Sequence, residues 1–236
     1  MRPVLIGLFL SLFFLSSLID ETISASNIAI STPVAVDDII RRLDEQNRLR
    51  ETKLKNYTNW RTYRVTNNRF RKESEVEVEV KYISPATKLF NVTSQKGSGA
   101  LRNSVINKLL DGEKEAMQEQ VKRSSAVTTD NYEFTYAGEE IINGYHTYVL
   151  SAKPRRKDKY LFQGRIWIDS KEFAIVRVAG SPAKNPSFWT RKIDFVREYK
   201  KVDQFWLPAR DESVSEVFMF GRSVLSINYG EYQVNR

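Results

Sequence analysis

Few residues in this chain of 236 could perform acid–base or metal chemistry. His146 is the only histidine and there is no cysteine, which excludes disulfides, a lipobox, thiolate catalysis and a histidine-rich or cysteine-based metal site. A Ser-His-Asp triad would have to use His146, whose tyrosine and threonine neighbours place it on a strand after a turn. We therefore predict a structural or surface role for this histidine.

The carboxylates give no stronger indication of catalysis. Those between Glu75 and Glu79 alternate with valine, as on the solvated face of a strand. The acids between Asp111 and Glu115 lack the order of a calcium-binding EF-hand loop. No Gly-x-Ser-x-Gly, P-loop, His-Glu-x-x-His or Gly-x-Gly-x-x-Gly motif occurs. We expect a non-enzymatic protein without metal or cofactor; an enzyme that uses carboxylates or lysines on a concave face is the least supported hypothesis.

The densest group of cations is a loop between two predicted strands, which we call the basic loop. The loop has two interpretations: a solvated hairpin tip, which is the more common role of such a loop, and docking to lipid headgroups or to an acidic partner. Each cation near an anionic membrane contributes on the order of 1 kcal/mol to such docking. Arg69, Arg71 and Lys72 in another turn would extend such a surface. The net charge is +8. The cations of the basic loop are Lys153, Arg155, Arg156, Lys157 and Lys159.

The N-terminus has the pattern of a secretory signal peptide. Arg2 precedes an apolar run over 4–19, and the small residues Ser24, Ala25 and Ser26 follow. We predict a signal peptide over 1–26, export to the periplasm and one monomeric domain over 27–236. An uncleaved membrane anchor is the alternative, because a span needs about 18 apolar residues. Nucleic acid is not an expected partner outside the cytoplasm.

Two helical segments are predicted. The first follows Pro33 and carries the apolar stripe Val36, Ile39, Ile40 and Leu43. The second, over 100–124, is interrupted at Asp111–Gly112, so it reads as a helix broken in two that could form a lid. Its apolar positions are Leu101, Val105 and Leu109.

Strands account for the rest of the chain. Residues 57–65, 74–83 and 87–94 precede the second helical segment, and seven more strands with short joints follow Thr128. Sequential strands of this kind form an antiparallel meander, and about ten of them tend to curl. The fold class predicted is α+β: a curved antiparallel sheet of about 10–11 strands that forms an incomplete β-barrel, with helices covering the concave face. The aromatic residues are scattered through the strands, as core or cavity-lining positions would be.

The order of these elements resembles the outer-membrane lipoprotein-sorting proteins, the LolA/LolB-like superfamily of periplasmic lipoprotein carriers, which also includes the sensing domain of an anti-sigma-factor regulator. The segments VKYISPATKLFNV (80–92), GRIWIDSKEFAIVRV (164–178) and FWLPARDES (205–213) are similar to strands of that superfamily. The resemblance implies a hydrophobic cavity for acyl chains beneath a helical lid. One position departs: the arginine that latches the lid in typical carriers is replaced around 82–85, so the resemblance does not extend to that latch.

From the residues and the resemblance we predict a periplasmic carrier or sensor of hydrophobic ligands, such as lipoprotein acyl chains or related lipids, involved in outer-membrane lipoprotein sorting. The alternative is an envelope protein-binding regulator or assembly factor of the same fold with no lipid cargo. Envelope membrane proteins or an anionic membrane surface are further candidate partners. In the 162–178 hairpin, Arg165, Asp169 and Arg177 are expected to point away from the cavity, together with Trp167 and Ile175. The predicted ligand-binding residues are Val76, Val78, Val80, Tyr82, Phe90, Val92, Leu101, Val105, Leu109, Ile166, Ile168, Val176 and Val178.

Overall fold

The computed structural model describes residues 35–185 and 190–236, and the segment predicted as a signal peptide lies outside them. The first helix, α1, is Val36–Lys53, as the apolar stripe predicts, with Asp37 and Asp38 in its first turn. Among the described residues, no helix has the length and apolar character needed to cross a membrane. Ten strands follow the predicted pattern: β1 Asn56–Asn67, β2 Lys72–Ile83, β3 Thr87–Gly97, β4 Tyr132–Ile142, β5 Tyr145–Pro154, β6 Phe162–Asp169, β7 Ile175–Pro182, β8 Thr190–Val202, β9 Phe205–Val217 and β10 Gly221–Val234.

All ten strands form one antiparallel sheet in the order β3-β2-β1-β10-β9-β8-β7-β6-β5-β4. The last strand lies between the first strand and β9, so β3 and β4 are the edges and the sheet stays open. The chain therefore crosses from one edge to the other between β3 and β4, and the helices of that crossing pack on the same face as α1. This arrangement confirms the predicted incomplete barrel with helices on its concave face.

The crossing segment differs from the sequence prediction in where its helix breaks. It consists of α2 Gly99–Leu101, a π-helical turn Arg102–Ile106, α3 Asn107–Glu115 and α4 Glu119–Ser125. The break predicted at Gly112 is wrong, because Gly112 lies inside α3 and the chain leaves the helix only after Glu115. An interior glycine costs a helix about 1 kcal/mol, which the continuing helix tolerates here. We call residues 99–115 the lid.

The hairpin of β6 and β7 shows how a bulge changes the faces of its residues. The pairing register shifts between Trp167 and Ile168, so Ile168 pairs with Ile175. Ile175 consequently packs with the residues beneath α1, and the expectation that it faces outward is wrong. Trp167 does lie on the outer face, where its indole Nε1 donates to Glu140 Oε2 at 2.8 Å and the Arg177 guanidinium lies 5.3 Å from its ring. These two side chains cover the tryptophan.

Candidate functional site

The residues predicted to bind a ligand separate into two groups on the concave face. The first group lies between the lid and strands β1, β2 and β10, and we call the strand side of it the wall. The second group, Ile166, Ile168 and Val178, packs beneath α1. The predicted residues that meet in the first group are Val76, Val78, Val80, Phe90, Leu101, Val105 and Leu109, and the structure adds Tyr63, Val65, Ile106, Leu110, Leu225, Ile227 and Tyr229.

Three predicted residues fall outside these two groups or at their margin. Tyr82 packs instead with Tyr57 and Phe205 near the start of β1. Val92 pairs with Val78 on the edge strand but is 39% exposed. Val176 is fully buried at the β6–β7 bulge. The assignment of all thirteen residues to ligand binding stays a prediction.

The π-helical turn determines which lid residues reach the wall. The Asn107 N–H donates to the Arg102 carbonyl, five residues back, which inserts an extra residue into the helix. Ile106 and Leu110 are therefore buried together with Val105, while the predicted contacts Leu101 and Leu109 are only partly buried. The sequence prediction assumed a regular α-helical spacing, so it missed the one-residue shift that buries Ile106 and Leu110.

A buried ionic group fastens the lid to the sheet, and we call it the latch: Arg61, Tyr63, Lys88 and Glu113. Glu113 on α3 accepts hydrogen bonds from Arg61 Nη1 at 2.9 Å and from the Tyr63 hydroxyl at 3.0 Å. It also pairs with Lys88 Nζ of β3 at 3.1 Å. The Arg61 side chain is only 2% exposed, while that of Glu113 is 19% exposed. The lid is thus held by charge as well as by apolar contact.

The latch charges shift the protonation equilibria of their members. Burial alone would raise the pKa of Glu113, but the positive charges of Lys88 and Arg61 outweigh it and lower this pKa to about 2. Burial opposes the charged form of Arg61 as well, yet the Glu113 carboxylate keeps the pKa of Arg61 well above its ordinary value. Both groups are therefore ionised at neutral pH.

A second polar group continues from the latch across the sheet. Arg197 donates two hydrogen bonds to Asp211, at 2.7 and 2.5 Å, and the Tyr229 hydroxyl donates to the same carboxylate at 2.9 Å. The Arg61 guanidinium lies 4.7 Å from the centre of the Tyr229 ring, which connects the two groups. A polar band therefore separates the apolar residues under the lid from those under α1.

This closed arrangement differs from the single apolar hollow that the sequence suggested. Two concavities of the described residues are open at the surface and lie away from the wall. One, of about 540 Å³, lies beside the β1–β2 turn, and the other lies at α4. Val105, Ile106 and Leu110 of the lid pack directly against the wall.

The basic loop is largely paired within the protein. Lys153 and Arg155 both lie within 3.5 Å of Glu133 on β4. Lys159 pairs with Glu115 at the end of the lid at 3.0 Å, and Arg156 donates to the Asn131 side chain at 2.7 Å. Lys157 has no carboxylate partner among the described residues, and docking of this loop to an anionic surface remains a prediction.

His146 and Glu75 lie apart from the contact between the lid and the wall, whereas Glu113, one of the acids between Asp111 and Glu115, belongs to the latch. His146 Nε2 is 3.5 Å from Glu139 on exposed strands. Glu75 pairs with Arg64 on the outer face of the sheet. The described ranges hold no cluster of three or more side chains suited to bind a metal.

Comparisons with known proteins agree with the predicted resemblance. The family model of the MucB/RseB N-terminal domain matches residues 67–180, just under half of the chain and the part that contains the wall strand β2 and the lid. The match confirms the predicted similarity to the lipoprotein-carrier superfamily. No curated protein is detectably similar in sequence.

Solved structures with similar folds are distant in sequence. A domain assigned to outer-membrane lipoprotein sorting from Vibrio parahaemolyticus shows 13% identity over 83% of this chain and 92% of its own, with a TM-score of 0.43. A LolA superfamily protein from Nitrosomonas europaea shows 11% identity over 86% and 94%, with a TM-score of 0.38. The MucA/MucB complex of Pseudomonas aeruginosa contains a chain with 10% identity over 82% and 92%, with a TM-score of 0.29.

Proposed function

We propose that this chain is an exported, non-enzymatic periplasmic protein that binds an acyl chain between its lid and its wall. The observation that carries the proposal is the latch: an apolar helix lies on an apolar strand surface and is fastened there by the ion pairs of Glu113 with Arg61 and Lys88. A permanently packed core does not need buried charges for this purpose, since apolar residues of similar volume stabilise as well or better. In this proposal, the arrangement with the latch formed is the closed form of the lid.

Lifting the lid would exchange one apolar contact for another. Val76, Val78 and Val80 would lose the lid side chains and gain hydrocarbon, at about 0.8 kcal/mol for each methylene buried. A chain of a dozen carbons therefore yields enough free energy to offset the broken latch. Lipoprotein acyl chains or related lipids fit this chemistry. The proposed mature protein is cut after its signal peptide and folds as one domain.

A second function, binding of an envelope protein without lipid cargo, is favoured by the edge of the sheet. The outer edge of β3 is unpaired in the described sheet, and it carries Leu89, 54% exposed, on the outer face and Val92, 39% exposed, on the concave face. An extended peptide could add to this edge by main-chain hydrogen bonds. In this case the lid would stay closed and the interior would remain a core.

Native mass spectrometry of delipidated protein mixed with envelope lipid extract separates the two functions. We expect one bound acyl species for each chain, and stronger retention in Glu113→Gln, in which the latch is weakened. The matched control is Glu119→Gln on α4, whose exposed pair with Arg123 lies outside the latch.

An absence of any acyl species at high protein concentration would overturn the carrier proposal. A peptide-binding protein would instead capture an envelope protein in pull-down, and the capture would be lost when Leu89→Asp alters the β3 edge.

A further inference from the structure

The end of the sheet opposite the β2–β3 turn carries an exposed apolar group that the lid and the wall do not use. The β1–β2 turn contributes Phe70, 48% exposed, and the β9–β10 turn contributes Phe218 at 43% and Met219 at 64%. The Phe70 and Phe220 rings meet edge to face, with centroids 6.1 Å apart. We call these four residues the tip.

Hydrogen bonds join the two turns into one unit. Asn67, 5% exposed, donates from Nδ2 to the Phe220 carbonyl at 2.9 Å and accepts from the Phe70 N–H at 2.9 Å. The Asn68 side chain accepts from the Arg222 N–H at 2.9 Å. At Gly221, with φ +72°, a Cβ would lie 2.9 Å from Arg69, so only glycine permits this approach. The apolar side chains are thus presented on a fixed support.

Cations surround the tip and are not neutralised by the protein. Within residues 35–185 and 190–236, none of these cations forms an ion pair, although Arg191 lies 4.9 Å from the Phe218 ring. The adjoining carboxylates are Glu73 and Glu216, so five cations face two acids and the local charge is +3. The five cations are Arg69, Arg71, Lys72, Arg191 and Arg222.

A concavity between the β1–β2 turn and the start of β10 suits an anionic headgroup. It measures about 540 Å³ and is lined by cations and by the amide side chains that join the turns. Its lining residues are Thr66, Asn67, Asn68, Arg71, Lys72, Glu73, Arg222 and Val224.

We propose that the tip docks on a bilayer containing anionic phospholipid, with Phe70, Phe218 and Met219 at the boundary of the acyl region and the surrounding cations on the phosphates. Aromatic residues favour the membrane interface, and exposed apolar side chains ringed by Lys and Arg bind it by apolar burial and charge together. The exposed side chains lie on two adjoining turns at one end of the sheet, so they can meet a flat bilayer surface together. This inference is independent of the cargo.

A single label tests the docking, because the chain contains no cysteine. Met219→Cys carrying an environment-sensitive fluorophore is mixed, as the full chain, with vesicles of phosphatidylglycerol and phosphatidylcholine. We expect a blue shift that is absent with phosphatidylcholine alone and is reduced by 1 M salt. The control label, Ile141→Cys, sits on a side chain 71% exposed at the opposite end of the strands and should not shift. An N-terminal anchor would affect both labels equally.

Charge variants of the labelled protein give the second readout. Arg71→Gln, Lys72→Gln and Arg222→Gln together should weaken vesicle affinity on the order of a hundredfold, at about fivefold for each cation. The matched control removes three exposed cations at the opposite end, through Lys53→Gln, Lys55→Gln and Lys171→Gln, and should change affinity little. An unchanged emission at 219, an equal shift at 141, or equal losses in the two triple variants would overturn the proposal. Vesicle binding by the tip in a protein that binds no acyl chain would support the docking proposal and contradict only the carrier proposal.

Discussion

The two helical covers of the concave face are attached in different ways. Helix α1 places Ile39, Ile40 and Leu43 on the strands beneath it, and its charged residues pair with one another on the exposed side. The lid covers the other half with apolar residues and with the buried pairs of Glu113. The two halves thus share one sheet, but buried ion pairs attach only the lid to it, whereas apolar contacts attach α1.

From this difference we expect the half under α1 to be a permanent core and the lid to be the part that can open. The contact under α1 is made by apolar side chains that do not titrate, which suits a permanent core. Ion pairs under the lid respond to protonation, and the loss of one partner leaves a charge without compensation. We therefore expect α1 to stay in place under conditions that release the lid.

The largest effect is expected from Glu113→Ala. It leaves Arg61 buried without its carboxylate, and breaking such a pair costs on the order of 3–5 kcal/mol of the free energy of unfolding. Urea denaturation measures this loss. The control is Glu119→Ala, which removes an exposed ion pair and should lower the free energy of unfolding far less. Equal losses in the two variants would show that the latch stabilises the protein no more than an exposed ion pair does.

Leu43→Ala should cost about 3 kcal/mol, because a fully buried leucine is replaced by a cavity. The loss should appear as global destabilisation, with hydrogen exchange of the lid amides raised no more than that of the strands. Selective opening of the lid in this variant would mean that α1 and the lid form one unit.

Acid should act most strongly on the lid half, because Glu113 is the least exposed carboxylate of the two helical covers. The folded pKa of Glu113 is about 2, below the ordinary 4.5, so its contribution is complete above pH 4.5 and declines as the pH falls toward 2. The contribution at stake is roughly 3 kcal/mol. Hydrogen exchange in the lid should therefore accelerate between pH 4.5 and 2 after correction for the intrinsic rate. In Glu113→Gln the lid should be loose at every pH, and a wild-type-like acid profile in that variant would contradict the assignment.

The smallest change is expected at Lys159→Gln. This cation pairs with Glu115 at the end of the lid, but both side chains are about half exposed and solvent screens them. Lid exchange should remain close to that of the wild type. A large acceleration of lid exchange would show that the basic loop, rather than the buried latch, holds the lid on the sheet.

Regular patterns in the sequence predicted the framework. Alternation of valine and glutamate from Glu75 to Val80 fixed both faces of β2, and the spacing of Ile39, Ile40 and Leu43 predicted the buried stripe of α1. The latch had no local signal, because Arg61 and Glu113 are separated by 52 positions and meet only through the crossing segment.

For the basic loop and the tip, the sequence located the cations but did not predict which of them are paired. A dense run of cations suggested docking at 153–159, but partners from distant elements, such as Glu133 and Glu115, pair with several of them. The cations at 69–72 gain their apolar neighbours only because β10 lies beside β1. Composition located the charge, and the strand order determined which charges stay unpaired.

Hydrogen exchange of the delipidated protein, with and without a saturating long-chain acyl ligand at neutral pH, tests the central claim most directly. We predict that the ligand changes the protection of the amides of residues 99–115 and of the wall strand β2, while the amides of α1 keep their protection. Unchanged exchange in the lid, or equal changes in the lid and α1, would contradict it.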